Sequence, residues 1–221
     1  MNFVFPRHAA LWSAVAARLD TGDISHDSHH VYRVYQTVLR LAPEAGADLD
    51  LAGAAALVHD LELTPKESAQ RSEAAALSAV AAANPLRDAG YSEAEVACIQ
   101  AAVRTSSWSR GLPPENPEGA VLQDADRLDA IGAIGIARVF ACHQGMAARG
   151  TGGRLWHPED PSAAADRPLD DRRYATDHFR RKLLHLAETM HTPTARAEAT
   201  RRHAFLESFL DELGHETGVA G

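Results

Sequence analysis

The sequence predicts an all-α protein. Apolar residues recur at three- and four-residue spacing along nearly the whole chain, strand-like alternation is almost absent, and alanine, the strongest helix former, is abundant. A first helix is expected over about residues 7–20, ended by Thr21-Gly22-Asp23. A second runs from about Asp27 to Leu41, with Val34, Val38 and Leu41 on one stripe, Asp27 as N-cap and Pro43 beyond its end. A third, about 48–60, sets Leu49, Ala52, Ala56 and His59 on one face and stops before Pro65. The fourth spans about 67–83 and is closed by Asn84-Pro85; Ser92-Glu93-Ala94-Glu95 is a capping-box pattern opening a fifth that reaches about Arg104. After a Gly/Pro-rich loop, a long apolar helix is expected over about 118–145. The polar stretch GTGGRLWHPEDPSAAADRPLDD then reads as a surface excursion near the site. Two more helices close the chain, the last with Thr192-Pro193 as N-cap and first residue, Phe205, Phe209 and Leu213 as apolar stripe, and Gly214 as its stop.

At 221 residues and 45% hydrophobic, the chain is long enough for one sizeable core, and one domain over residues 1–221 is expected. A net charge of -8 argues against a nucleic-acid polymer as partner, since phosphate-backbone binders carry basic stripes, and points to a small molecule. Cys98 and Cys142 offer neither a disulfide framework nor a CxxC pair, which suits a reducing cytoplasm and rules cysteine out as a metal ligand. Arg7 and His8 interrupt the N-terminal apolar stretch, so no signal or membrane segment is expected.

The chemistry starts from buried charge. AALVHDLE places His59 and Asp60 at the end of an apolar run, where an unpaired carboxylate costs several kcal/mol. VLQDADRLDAIGAIGIARVF repeats the problem, because Asp126 and Asp129 lie on a helix whose Leu122, Ala125, Ala133 and Ile136 read as buried. In SHDSHHVYRVY, His30 begins the Val34/Val38 stripe, whereas His26 falls at or before the Asp27 cap and His29 points about 100° away. Two imidazoles and two carboxylates on three helices form an N/O donor set that suits one divalent ion: Mn, Ni, Co, Fe, Zn or, less comfortably, Mg.

The order His30, His59-Asp60, Asp126 resembles the H…HD…D signature of the HD-domain metal-dependent phosphohydrolase superfamily. The fuller strings HDSHHVYRV, LVHDLE, LQDADRLDAIGAIGIARVF and RPLDDRRYATDHFRRKLLHL look like its YedJ/YpgQ-type branch. The resemblance spans about residues 20–213, and QDADRLDAIGAIG is its most specific part. It implies a helical HD-type domain with a core over about 20–145 and C-terminal helices 172–213 completing the pocket. It also implies His30, His59, Asp60 and Asp126 as metal ligands, and hydrolysis of a phosphate ester or anhydride, of a nucleotide by analogy, through a metal-activated water. Arg33, Arg71, His178 and Lys182 become candidates for the substrate pocket; Tyr174, His178 and Lys182 would share a helix face at i, i+4, i+8. Glu62, Asp129 and Asp27 are the candidate catalytic or supporting carboxylates, although Asp129 has Arg127 and Arg138 as alternative partners. The chain departs from the family pattern at Ser106-Ser107-Trp108, where a histidine is expected. No histidine occurs between His59 and His143, which counts against a di-iron oxygenase and for one metal. The alternative to an enzyme is a non-catalytic nucleotide-binding HD module.

Overall fold

A computed structural model describes residues 1–19, 22–62 and 73–218. It is all-helical: the described residues form ten α-helices and two isolated β-bridges, with no strand. No helix among them is long and apolar enough to cross a membrane. The chain forms two compact units, Met1–Gly22 with His26–Arg127 and His191–Ala195, and Asp23–Ser25 with Leu128–Met190 and Arg196–Gly221.

In the first unit, α1 (Pro6–Leu19), α2 (Ser28–Ala45) and α6 (Glu93–Arg104) pack against α3 (Leu49–Val58). Every residue of α3 from Ala52 to Val58 is buried, so this helix is apolar all round rather than on one face. Its small residues permit close approach. A Cβ on Gly53 would stand 2.4 Å from His8 Cε1, and the buried His8 sits with Nδ1 3.0 Å from the Tyr35 hydroxyl and Nε2 2.9 Å from the Asp50 carbonyl oxygen. The Asp50 carboxylate accepts hydrogen bonds from Arg7 (2.6 Å) and Tyr91 (2.8 Å), tying α1 to α3.

Asp27 caps α2, its carboxylate accepting from the His30 amide at 2.9 Å. Pro43 lies inside the last turn instead of beyond it. The helix ends at Gly46, whose left-handed backbone (φ 66°) lets its amide donate to the carbonyls of Ala42 and Pro43. The expected fourth helix begins outside the described residues; within them the chain forms α4 (Ala74–Ala81) and α5 (Ala83–Asp88). Pro85 falls in the first turn of α5, where a missing N–H costs nothing, so Asn84-Pro85 opens a helix instead of closing one. The capping box of α6 forms as expected.

The helix expected over 118–145 is two, α7 (Pro117–Asp129) and α8 (Gly132–Ala148), because the backbone turns at Ile131 and at Gly132, which has φ 75°. Leu122 and Ala125 are buried, but Ala133, past the break, is exposed. Near the middle of α7, Asp124 is fully buried and accepts from the amides of His191 (2.7 Å) and Thr192 (2.8 Å) and from the Thr192 hydroxyl (2.8 Å). Thr192 in turn accepts from the Ala195 amide and caps α10 (Pro193–Glu216).

In the second unit, α8, α9 (Ala175–Arg181), a 3₁₀ segment Leu183–Thr189 and the body of α10 enclose a separate core. Phe209 stacks on Phe179 and meets Phe140 edge-on. The buried stripe of α10 is Leu206, Leu210 and Leu213, while Phe205 is 50% exposed; α10 also runs through Gly214, and the left-handed turn comes at Gly218. The polar stretch 150–171 is anchored, not a free surface excursion. Arg167 donates to Asp160 and to the fully buried Asp177, which also accepts from the Asp170 amide.

Replacing Asp124 with Ala strands three donors, two of them on the buried Thr192, and is expected to cost about 3 kcal/mol in a urea unfolding curve. Burial lowers the pKa of His8 below its ordinary 6.5 although the Asp50 carbonyl and carboxylate oppose the shift. The unfolded imidazole therefore binds its proton first, and the stability tied to neutral His8 is complete above that value and is lost as the pH falls through the window beneath it. Unfolding midpoints should drop between pH 7.5 and pH 5, and the drop should be shallower in His8→Gln.

Candidate metal centre

His30 lies in the first turn of α2, His59 at the C-cap of α3, Asp60 directly after it, and Asp126 on α7. The two imidazoles are buried, at 0% and 2% side-chain exposure, while Asp60 and Asp126 keep 26% and 32%. Histidines thus make the floor of the site and carboxylates its open side. His30 Nε2 stands 3.5 Å from Asp60 Oδ2 and 3.6 Å from Asp126 Oδ1; His59 Nε2 stands 3.6 Å from Asp60 Oδ2. The histidine rings meet edge-on at 5.4 Å. These separations are long for hydrogen bonds. They are close to the spacing of donors that share one ion, since ligands about 2.1 Å from a centre stand about 3.0–3.4 Å apart in octahedral or tetrahedral arrays.

The His59 ring gives an independent test of that fit. Its Nδ1–H donates to the Ala56 carbonyl at 2.8 Å, one turn back on α3, which fixes the tautomer and leaves the Nε2 lone pair facing the cluster. Nε2 is buried and has no hydrogen-bond partner among the described residues. A buried nitrogen lone pair without a donor is costly, and a cation satisfies it. Burial opposes the charge of Asp60, but His59, then His30 and His26, hold its carboxyl well below the usual carboxylate range. His30, His59 and Asp60 offer ligand atoms that all lie within 4.8 Å of one another, and Asp126 joins them through its approach to His30.

The other sequence candidates divide. Asp27 spends its carboxylate on the His30 amide and so anchors the start of α2. Glu62 pairs with Arg18 at 2.7 Å, with both side chains more than 40% exposed. Asp129, in the second unit, pairs with Arg138 at 3.0 Å, one of the two partners the sequence offered. Arg33 is half-buried on α2, three residues past His30. Arg71 lies outside the described residues. In the second unit, His178 Nδ1 is 2.8 Å from an Asp171 carboxylate oxygen. The shared face of Tyr174, His178 and Lys182 does not form, because α9 contains only His178 while Tyr174 and Lys182 flank it in non-helical conformations. Within SHDSHH, His29 is exposed and His26 approaches His30 ring to ring at 5.9 Å without joining its helix. Sequence reasoning missed the Ala56 carbonyl, because a main-chain acceptor leaves no residue signature.

An HD-domain family model matches residues 28–131, which holds all four clustered side chains. YpgQ of Bacillus subtilis (strain 168) is 36% identical over 192 residues, covering 85% of this chain and 82% of YpgQ. The crystal structure of that YpgQ in complex with ADP superposes with a TM-score of 0.71 at 31% identity, over 95% of this chain and 97% of that one. A Lactobacillus plantarum protein gives 0.74 at 31% identity, over 97% and 98%. An HD-superfamily hydrolase from Bacillus thuringiensis gives 0.67 at 28% identity, over 96% and 97%. With its histidines and carboxylates gathered inside the matched segment, the chain belongs to the HD-domain superfamily, among the relatives of YpgQ.

Proposed function

We propose that this protein is a metal-dependent phosphohydrolase that cleaves phosphate ester or anhydride bonds of a nucleotide. The observation that carries the reading is His59, whose Nδ1–H is held by Ala56 so that a buried Nε2 converges with His30, Asp60 and Asp126. Those four side chains would hold one divalent ion, and the mixed N/O set admits Mn, Ni, Co, Fe, Zn or Mg. When bound, such an ion supplies a Lewis acid for a phosphoryl oxygen and makes water a nucleophile at neutral pH. The protein contributes orientation: Ala56 sets the His59 tautomer, Asp27 fixes the backbone under His30, and the depressed Asp60 stays anionic. Arg33, on the same helix as His30, offers a guanidinium for phosphate charge. Nucleotide as the substrate class is supported by the ADP held in the YpgQ structure.

Release of phosphate and of pyrophosphate, read separately over a panel of nucleotides and phosphate monoesters with Mn, Co, Ni or Mg, should show metal-dependent turnover. His59→Ala and Asp60→Ala should reduce it to background. Binding without turnover on every substrate would sink the enzyme reading and leave a nucleotide-binding module. Metal content measured after equilibration with Mn should be lost in His30→Ala and kept in His29→Ala, because the His29 side chain is exposed on another face of α2.

A further inference from the structure

The second unit holds a cleft of about 380 Å³ lined by Thr151, Gly152, Arg154, Asp170, Arg172 and Arg173. Nine arginines elsewhere in this acidic protein, Arg7, Arg18, Arg87, Arg104, Arg138, Arg167, Arg181, Arg201 and Arg202, are ion-paired. The guanidinium groups of Arg154, Arg172 and Arg173 have none among the described residues; that of Arg173 lies 5.2 Å over the Tyr174 ring. Asp170 is the one carboxylate of the lining, and its Oδ1 accepts from the backbone amides of Arg172 and Arg173 rather than from their side chains. The lining therefore carries three arginines, all exposed, against one carboxylate that is already engaged.

The walls are built, not incidental. The Arg154 amide donates to the Arg173 carbonyl at 2.7 Å, the Gly153 amide to the Arg172 carbonyl at 3.2 Å, and the Ala175 amide returns to the Arg154 carbonyl at 2.9 Å. The two segments thus run side by side as a short parallel bridge. The glycines are demanded by this approach: Gly152 has φ 143° and Gly153 has φ 80°, and a Cβ on either would stand 2.4 Å from the Arg172 carbonyl oxygen or 2.0 Å from that of His143. Behind them, His143 Nε2 lies 3.0 Å from the Asp171 carbonyl oxygen and Arg167 is clamped between Asp160 and Asp177. Rigid backbones present three planar, permanently charged donors, the geometry that matches phosphate oxygens in pairs. One singly charged carboxylate would leave two of them uncompensated; a chain of phosphates would not. The volume lies within the range of small-ligand sites.

We propose that this cleft binds an oligophosphate anion, with Arg154, Arg172 and Arg173 as its ligands. The proposal stands apart from the hydrolytic reading and calls on no metal. Its test is calorimetric titration of the full chain in EDTA with tripolyphosphate. Saturable binding that weakens as salt rises is expected, with at least tenfold loss of affinity in an Arg154→Ala/Arg172→Ala/Arg173→Ala variant whose urea midpoint is unchanged. His59→Ala/Asp60→Ala should keep full affinity, so failure of the metal-site reading leaves this result intact. A parallel titration with dATP separates the sources: equal affinity assigns the phosphate chain alone, tighter binding a nucleotide, and both support the cleft. Absence of saturable binding, equal affinity in the triple variant, or loss confined to His59→Ala/Asp60→Ala would overturn it.

Discussion

The bond from His59 Nδ1 to the Ala56 carbonyl is the interaction on which the candidate centre depends. It uses an acceptor that becomes available at a helix C-terminus, where the last carbonyls have no intrahelical donor. It thereby satisfies one ring nitrogen and commits the other to the cluster. The same helix makes the arrangement possible in another way. Because α3 is all Gly, Ala, Leu and Val from Ala52 to Val58 and buried along that stretch, α1, α2 and α6 can close on it. Gly53 receives His8, and α2 brings the first-turn His30 to 3.5 Å from Asp60. A larger side chain at these positions would push apart the helices that carry the ligands.

Helix α7 shows how one string of carboxylates serves separate purposes. Asp124, Asp126 and Asp129 lie within six residues, yet at about 100° per residue Asp124 and Asp126 point to nearly opposite sides. Asp124 is fully buried and receives three donors from the start of α10, so its charge is spent on holding chain to chain. Asp126 keeps a third of its side chain exposed and faces His30. Asp129 is taken by Arg138. An exposed carboxylate beside a buried imidazole is the one of the three that retains lone pairs for an ion.

Much of the fold was legible because it is written in local signals. Asp27, Ser92 and Thr192 are caps whose side chains bond the amides the pattern requires. The apolar periodicity placed α1, α2, α3 and α6 to within a few residues. The errors have two causes, apolar runs that continue through a backbone turn, where periodicity alone sees one helix, and prolines near helix ends. Ile131-Gly132 breaks such a run because Gly132 takes φ 75°; Pro85 misleads because an N–H in the first turn of a helix has no intrahelical partner to lose, while α2 carries Pro43 in its last turn at the loss of one such donor. The four clustered side chains were legible as buried charge in need of compensation. The partner of Glu62 was harder to read, since Arg18 is brought close only in space, and for Asp129 the sequence offered both Arg127 and Arg138, of which Arg138 pairs with it.

The electrostatics of the cluster also constrain how it can take up an ion. Protons compete with metals for the same lone pairs, and a ligand set binds most readily where those protons are already gone. Asp60 has lost its proton well below the usual carboxylate range because imidazoles surround it. That carboxylate is therefore ready across the whole range in which proteins are ordinarily folded. At His59 the proton on Nδ1 is held by Ala56, so the nitrogen offered to an ion is Nε2. Asp60 thus supplies charge to the cluster, and the helix end supplies the tautomer of His59.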